Sequence, residues 1–181
     1  MVAYAHQLDP ALQVGVTATA DGALSLSGTE LHELNAASDV VILTYYPLTF
    51  TATSVTVRSP SEVARDFIAM RSFAGGKPLL LQEVGFPAAA SNGSSQALQA
   101  AFVTQVFAAW KQQGGQIPFL NFFLLHDFTP QMCADFGVYY GAAGSQPFTD
   151  FLCTLGLRQA DGTPRAAWAT LQAEARAAGL P

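Results

Sequence analysis

Glu83 closes the run Lys77-Pro78-Leu79-Leu80-Leu81-Gln82-Glu83-Val84-Gly85-Phe86-Pro87. Leucines bounded by Pro and Gly predict a buried parallel strand. The C-terminal ends of such strands carry the catalytic groups of parallel α/β enzymes. A carboxylate there offers attack on an electrophilic carbon or proton transfer. Leaving Glu83 at that position is costly, because an unpaired buried charge must find a partner or neutralise. The plainer alternative is a Glu ion-paired at the rim of a sheet.

Other groups fall at strand ends too. Asp127 is the other acid placed directly at one, and Thr129-Pro130 beside it equally fits an Asx-type loop cap. His126 precedes it and fits either a rim residue or a proton carrier. Tyr45 and Tyr46 follow an apolar run, where an aromatic packs well and its hydroxyl needs a partner. Asn121 interrupts the apolar run around Phe122 and is expected to be buried and hydrogen-bonded. Tyr139, Tyr140, Phe136 and Phe128 make an aromatic-rich segment, suited to stacking on a ligand or to covering the end of a sheet.

The elements that would position these groups alternate regularly. Strands are predicted at residues 13–19, 40–45, 79–83 and 117–125. Helical spacing occupies residues 29–37. A second helix follows Ser59-Pro60-Ser61-Glu62, whose order matches a capping box with Pro at the first turn. A third follows Ser94-Ser95 and buries Leu98, Ala101, Phe102, Val106, Ala109 and Trp110. Residues 126–147 read as a loop, and 148–155 as a short helix. Thr163-Pro164 is expected to cap the last helix. With no hairpin signal between the strands, the fold class is α/β, a parallel sheet built from four consecutive βα units, in one domain.

Composition narrows the partners. The chain has 181 residues, formal charge −5 and 12% charged residues. The acidic balance without a Lys/Arg cluster argues against nucleic acid. No apolar run approaches the ~18 residues of a membrane span. The first residues lack the basic and apolar regions of a signal peptide. GxGxxG, GxxxxGK[ST] and GxSxG motifs are absent, so no cofactor or metal is expected. Cys133 and Cys153 form a disulfide or remain two free thiols.

The strand ends Tyr45-Tyr46-Pro47, Gln82-Glu83-Val84-Gly85-Phe86-Pro87 and Phe122-Phe123-Leu124-Leu125-His126-Asp127 resemble strands six, seven and eight of clan A retaining glycoside hydrolases. The endo-β-1,4-galactanases are the family most similar. The closing Gly156-Leu157-Arg158 and Asp161-Gly162-Thr163-Pro164-Arg165-Ala166-Ala167-Trp168 resemble the end of such an enzyme. The resemblance implies a partial, half (β/α)8 barrel equivalent to strands five to eight, where a whole barrel takes about 250 residues. It implies that Glu83 is the nucleophile and that Tyr45 or Tyr46 contacts it. Phe122 or Phe123 replaces the family's sugar-stacking Trp. The family's acid/base Glu, in an Asn-Glu pair on strand four, has no counterpart. Retaining hydrolysis needs that second carboxyl about 5–5.5 Å away. Open sheet edges and an apolar inner face predict a homodimer that completes or covers the half-barrel; either Asp127 of one copy faces Glu83 of the other, or the copies pair sheet face to sheet face or by swapped helices and leave the two far apart. The resemblance further implies a carbohydrate substrate and a secreted or periplasmic parent. The alternative is a non-catalytic carbohydrate-binding or structural half-barrel.

Overall fold

The computed structural model describes residues 2–25, 29–51 and 54–180. Its strands are β1 (Thr17–Thr19), β2 (Val41–Tyr45), β3 (Leu48–Phe50), β4 (Val55–Val57), β5 (Leu79–Val84) and β6 (Phe119–Phe122). The helices are α1 (Val2–Leu8), α2 (Ala20–Leu24), α3 (Thr29–Ala36) and α4 (Val63–Ala74), then α5 (Gln96–Gln112), α6 (Pro130–Tyr139), α7 (Gln146–Cys153) and α8 (Ala166–Ala177). The residues group into two compact units. One holds Met1–Tyr46, Arg65–Val84 and Trp110–Phe122; the other holds Pro47–Ala64, Gly85–Ala109 and Phe123–Pro181.

The first unit contains a four-stranded sheet in the order β1-β2-β5-β6, parallel throughout. This is the order expected of consecutive βα units, since a crossover helix returns each strand beside its predecessor. Val41, Leu43, Tyr45, Leu79, Leu81 and Val84 are buried, as are Phe67 and Met70 of α4. Each such side chain contributes about 1.5–3 kcal/mol of transfer free energy. Ile42, Thr44, Leu80 and Gln82 alternate with them and are half-buried or exposed. The sheet therefore has one closed face and one open face.

Two strands are shorter than their apolar patterns predict. Only Thr17–Thr19 pairs regularly in β1. Upstream, the Asp39 carboxylate takes the Val14 N–H at 2.9 Å and lies 2.9 Å from His6 Nε2, replacing ladder bonds with a side chain. Gly15 is needed there: a Cβ would stand 2.7 Å from the Val40 carbonyl oxygen. At β6, Pro118 has no N–H to give, and the Trp110 indole donates to the Ile117 carbonyl at 2.8 Å. Beyond Phe122, the Leu124 and Leu125 carbonyls accept from Leu157 and Arg158 instead of continuing the sheet. Asn121 is exposed rather than buried, because β6 is an edge strand of alternating exposure; its amide donates to the Gln82 carbonyl at 3.1 Å.

The Val14 N–H and His6 hold the Asp39 carboxyl below its ordinary value of 3.8. A lowered carboxylate stabilises the fold above that ordinary value, and the contribution is lost as pH falls through the lowered one. Amide-exchange protection of Val14 is accordingly expected to drop below pH ~4. Asp39→Asn should remove that pH dependence.

The second unit contains elements that the alternation of strands and helices did not announce. β3 and β4 form a small antiparallel hairpin. Residues expected to be a loop include α6, whose Thr129 hydroxyl accepts from Met132 N–H with Pro130 in the first turn. That Thr-Pro pair is a helix start. Cys133 of α6 and Cys153 of α7 are joined in a disulfide. Of the stripe expected on α5, Phe102, Val106 and Ala109 are buried, but Leu98 and Ala101 are exposed, and Gln99 and Val103 are inside in their place. Thr163-Pro164 does not cap α8. Pro164 bridges to Arg158, and Arg165 holds the cap position without a side-chain cap because its guanidinium is used elsewhere.

Candidate active site

Glu83 lies on the open face of the sheet, and a bulge puts it there. Leu43 pairs with Leu81, but the next residue, Thr44, pairs with Glu83. On the other side, Leu81 pairs with Leu120, while Phe122, two residues on, pairs with Val84. β5 thus carries one residue more than either neighbour around Gln82 and Glu83. Strict alternation from buried Leu79 and Leu81 would send residue 83 into the closed face. With the extra residue, Val84 is buried instead, and Gln82 and Glu83 are both turned to the open face. Bulges of this kind re-aim side chains beside functional sites.

Tyr46 follows the end of β2 and donates its hydroxyl to Glu83 Oε2 at 2.7 Å. A phenol–carboxylate bond of that length is strong and directional. It fixes the Oε2 oxygen of the carboxylate. Among the described residues no Lys or Arg is ion-paired with Glu83. Gln82 is held beside it: Thr17 donates to Gln82 Oε1 at 2.9 Å, across β2. Thr17, Gln82, Asn121, Glu83 and Tyr46 thus give this part of the unit its polar groups.

Tyr45, the other candidate contact of Glu83, points the opposite way. It is buried, edge-on to Phe67, and donates to Asp66 at 2.9 Å. Successive side chains of a strand face opposite sides, so only one of the two tyrosines can reach the open face. Asp66 is itself buried. Tyr45→Phe is expected to cost about 1–3 kcal/mol by depriving that carboxylate of a donor. Chemical denaturation would register it, with Tyr46→Phe as the milder control.

Phe122 ends β6 half-buried, paired with Val84. Phe123 belongs to the second unit, where its ring meets Phe128 at 5.9 Å. His126 is exposed and its backbone bridges to Arg158.

Asp127 is engaged on both oxygens. Oδ1 accepts the Gly156 N–H at 2.7 Å, and Oδ2 is ion-paired with the Arg165 guanidinium. Arg165 also donates through Nε to the Gly156 carbonyl at 3.1 Å. Both side chains are almost fully buried. Burial pushes the Asp127 carboxyl up, against the pull of Arg165 and the Gly156 N–H. Gly156 fits because it has no Cβ; one would stand 2.4 Å from the Asp127 backbone nitrogen.

The same turn is held from another side by Gln99. Its amide nitrogen sits 3.0 Å from the Phe86 carbonyl and 3.2 Å from those of Thr154, Leu155 and Gly156. The segment following β5 is thereby tied to residues 154–156. Asn92 plays a like part, donating to the carbonyls of Val55 and Pro147. Sequence reading passed over Gln99 and Arg165. Gln99 carried a signal, a polar residue at i, with Phe102, Val103 and Val106 at i+3, i+4 and i+7 on the buried stripe. Arg165 carried none, since its partner lies 38 residues away.

No protein-family model and no curated protein sequence matches the chain. Solved structures do. A β-glucuronidase from Faecalibacterium prausnitzii has a TM-score of 0.64 at 16% identity, over 98% of this chain and 27% of that one. A glycoside hydrolase family 17 β-1,3-glucanosyltransferase from Rhizomucor miehei has a TM-score of 0.56 at 14% identity, over 91% of this chain and 53% of that one. A family GH2 β-galacturonidase from Eisenbergiella tayi has a TM-score of 0.61 at 14% identity, covering 97% and 29%. The chain therefore spans about a quarter to a half of the length of these neighbours. The likenesses support a glycoside-hydrolase-like fold and do not single out the galactanases, a finer resemblance that rests on the residues alone. The chain has an α/β fold of four βα units with a parallel sheet, a partial (β/α)8-barrel arrangement of the kind found within glycoside hydrolases.

Proposed function

We infer that the chain carries the nucleophile side of a retaining β-glycosidase site. The observation behind this is the Glu83 carboxylate, turned by a bulge to the open sheet face and oriented by Tyr46 Oη at 2.7 Å. In the reaction, a Glu83 oxygen attacks the anomeric carbon while the bond to the leaving oxygen breaks. The product is a glycosyl ester, which water then hydrolyses. Tyr46 fixes the attacking carboxylate and steadies its charge. The glycosidase neighbours lend support through the fold they share with this chain.

Retaining hydrolysis also needs a proton donor. Asp127 is committed to Arg165 and Gly156, which speaks for a fastening role and against general-acid work. Asp127 is therefore not assigned as the donor. A substrate with a leaving group acidic enough to depart unaided bypasses it. The test is therefore a panel of 2,4-dinitrophenyl β-glycosides and their 2-fluoro analogues. Release of dinitrophenolate, with a glycosyl adduct on the Glu83 peptide by mass spectrometry, supports the assignment. Adduct formation elsewhere, or on none of the panel, counts against it.

The engagement of Asp127 also favours a second reading, a carbohydrate-binding half-barrel without turnover. Sugar titration with no dinitrophenolate release would establish that one.

The expected homodimer belongs to the same reading. β1 and β6 are the outer strands of the sheet, Phe119 on β6 is 49% exposed, and the open face carries Ile42 and Leu80. Free edges and exposed apolar area favour association. Sedimentation at micromolar concentration should give twice the chain mass; a monomer would remove the dimer from the account.

A further inference from the structure

The segment between β6 and α8 carries a ridge of aromatic rings that Glu83 chemistry does not use. In the second unit, Phe136 lies 6.3 Å from Tyr140, and Tyr140 lies 5.9 Å from Phe148. Phe148 is 6.3 Å from Phe151, which is 6.5 Å from Phe50. Tyr139 stands edge-on to Tyr140 at 4.9 Å. Three of these rings are open to solvent: Tyr139 is 79% exposed, Tyr140 62% and Phe50 58%. Tyr139 and Tyr140 form the solvent-open pair, and half-buried Phe148 and buried Phe151 link them to Phe50; adjoining exposed rings suit a binding surface.

Charge selects the occupant. No Lys, Arg or His occurs in residues 127–157. The two carboxylates of α6 and α7 are tied back: Asp135 accepts from Gln131 at 2.9 Å, and Asp150 from Gln146 at 2.7 Å and Ser91 at 2.6 Å. Residues 127–157 themselves therefore offer no charged hold to a phosphate, a uronate or an anionic lipid head group. Ring faces with phenol hydroxyls at their edges match an uncharged sugar, whose C–H bonds cover its faces and whose hydroxyls ring its rim. The platform is also pre-organised. The Cys133–Cys153 disulfide joins α6 to α7, and Thr129 caps α6. Little ordering cost is then left for binding.

We propose that this ridge, centred on Tyr139 and Tyr140, is a binding platform for an uncharged oligosaccharide chain. It rests on the carbohydrate reading above and narrows the substrate class to a neutral glycan of several sugars.

The test uses the full chain carrying Glu83→Gln, so that nothing is turned over. It is titrated with cello-, laminari- and galacto-oligosaccharides of two to six sugars, followed by calorimetry. Affinity should rise with length for at least one series. Adding Tyr139→Ala and Tyr140→Ala should weaken the longest binder about tenfold, the worth of two ring contacts. Tyr140 also packs on Phe136 and Phe148, so a modest fall in melting temperature is expected, and binding is read well below it. Length-independent affinity, equal binding by the tyrosine variant, or no binding of any series overturns the proposal. So does loss of self-association in the tyrosine variant, which would make the ridge a contact between copies. Tyrosine-dependent binding without dinitrophenolate release would leave the ridge standing and sink the Glu83 reading; the reverse result would do the opposite.

Discussion

Glu83→Gln is expected to lower the rate of dinitrophenolate release by several orders of magnitude while leaving the fold intact. The substitution keeps the shape and the Tyr46 contact, since an amide oxygen still accepts from the phenol. It removes the charge that attacks the anomeric carbon, and an amide is a far weaker nucleophile. Because the leaving group needs no protonation, the loss reads the nucleophile alone. The fall should appear in kcat and kcat/KM together, the pattern of an interaction made in the transition state. Tyr46→Phe should show a smaller loss, on the order of 10- to 100-fold, because one hydrogen bond to the attacking group is worth a few kcal/mol at most. A Glu83→Gln chain with near-wild-type turnover would refute the role.

The largest effect on stability is expected at Asp127. Asp127→Ala leaves the buried Arg165 guanidinium without its counter-charge and the Gly156 N–H without an acceptor. Removing one partner of a buried pair costs about 3–5 kcal/mol. For a chain of this size that is a fall in melting temperature on the order of 10 °C. Arg165→Met should be milder, since Asp127 can take up the proton that burial already favours. Dinitrophenolate release, measured well below the melting point, should be unaffected by either change. A folded, stable Asp127→Ala chain that had lost only activity on glycosides with poor leaving groups would return Asp127 to the proton-donor role.

The order of elements was legible because it rests on local chemistry. Gly75-Gly76 and Gly114-Gly115 punctuate the chain, Ser59 and Ser95 cap helices, and the apolar runs at residues 40–45 and 79–83 form the two central strands. The right-handed crossover rule then fixes their order in the sheet. α6 and the hairpin were less visible. One was signalled by a Thr-Pro pair that also fits a loop cap, and the other rests on two three-residue strands too short to show a period.

By itself the sequence determined that Glu83 ends a buried strand and that a tyrosine pair ends its neighbour. It did not determine which way either points. Side-chain direction in a strand is set by register, and one extra residue reverses it. That residue is counted only when β5 lies between β2 and β6, so the bulge that brings Glu83 to the open face exists only in the assembled sheet. The same holds for Asp127. The sequence placed it at the end of a strand running to residue 125, whereas β6 ends at Phe122, and its partner Arg165 stands 38 residues away on the approach to α8. Only the tertiary fold brings the two together, and burial then makes the pair a fastening.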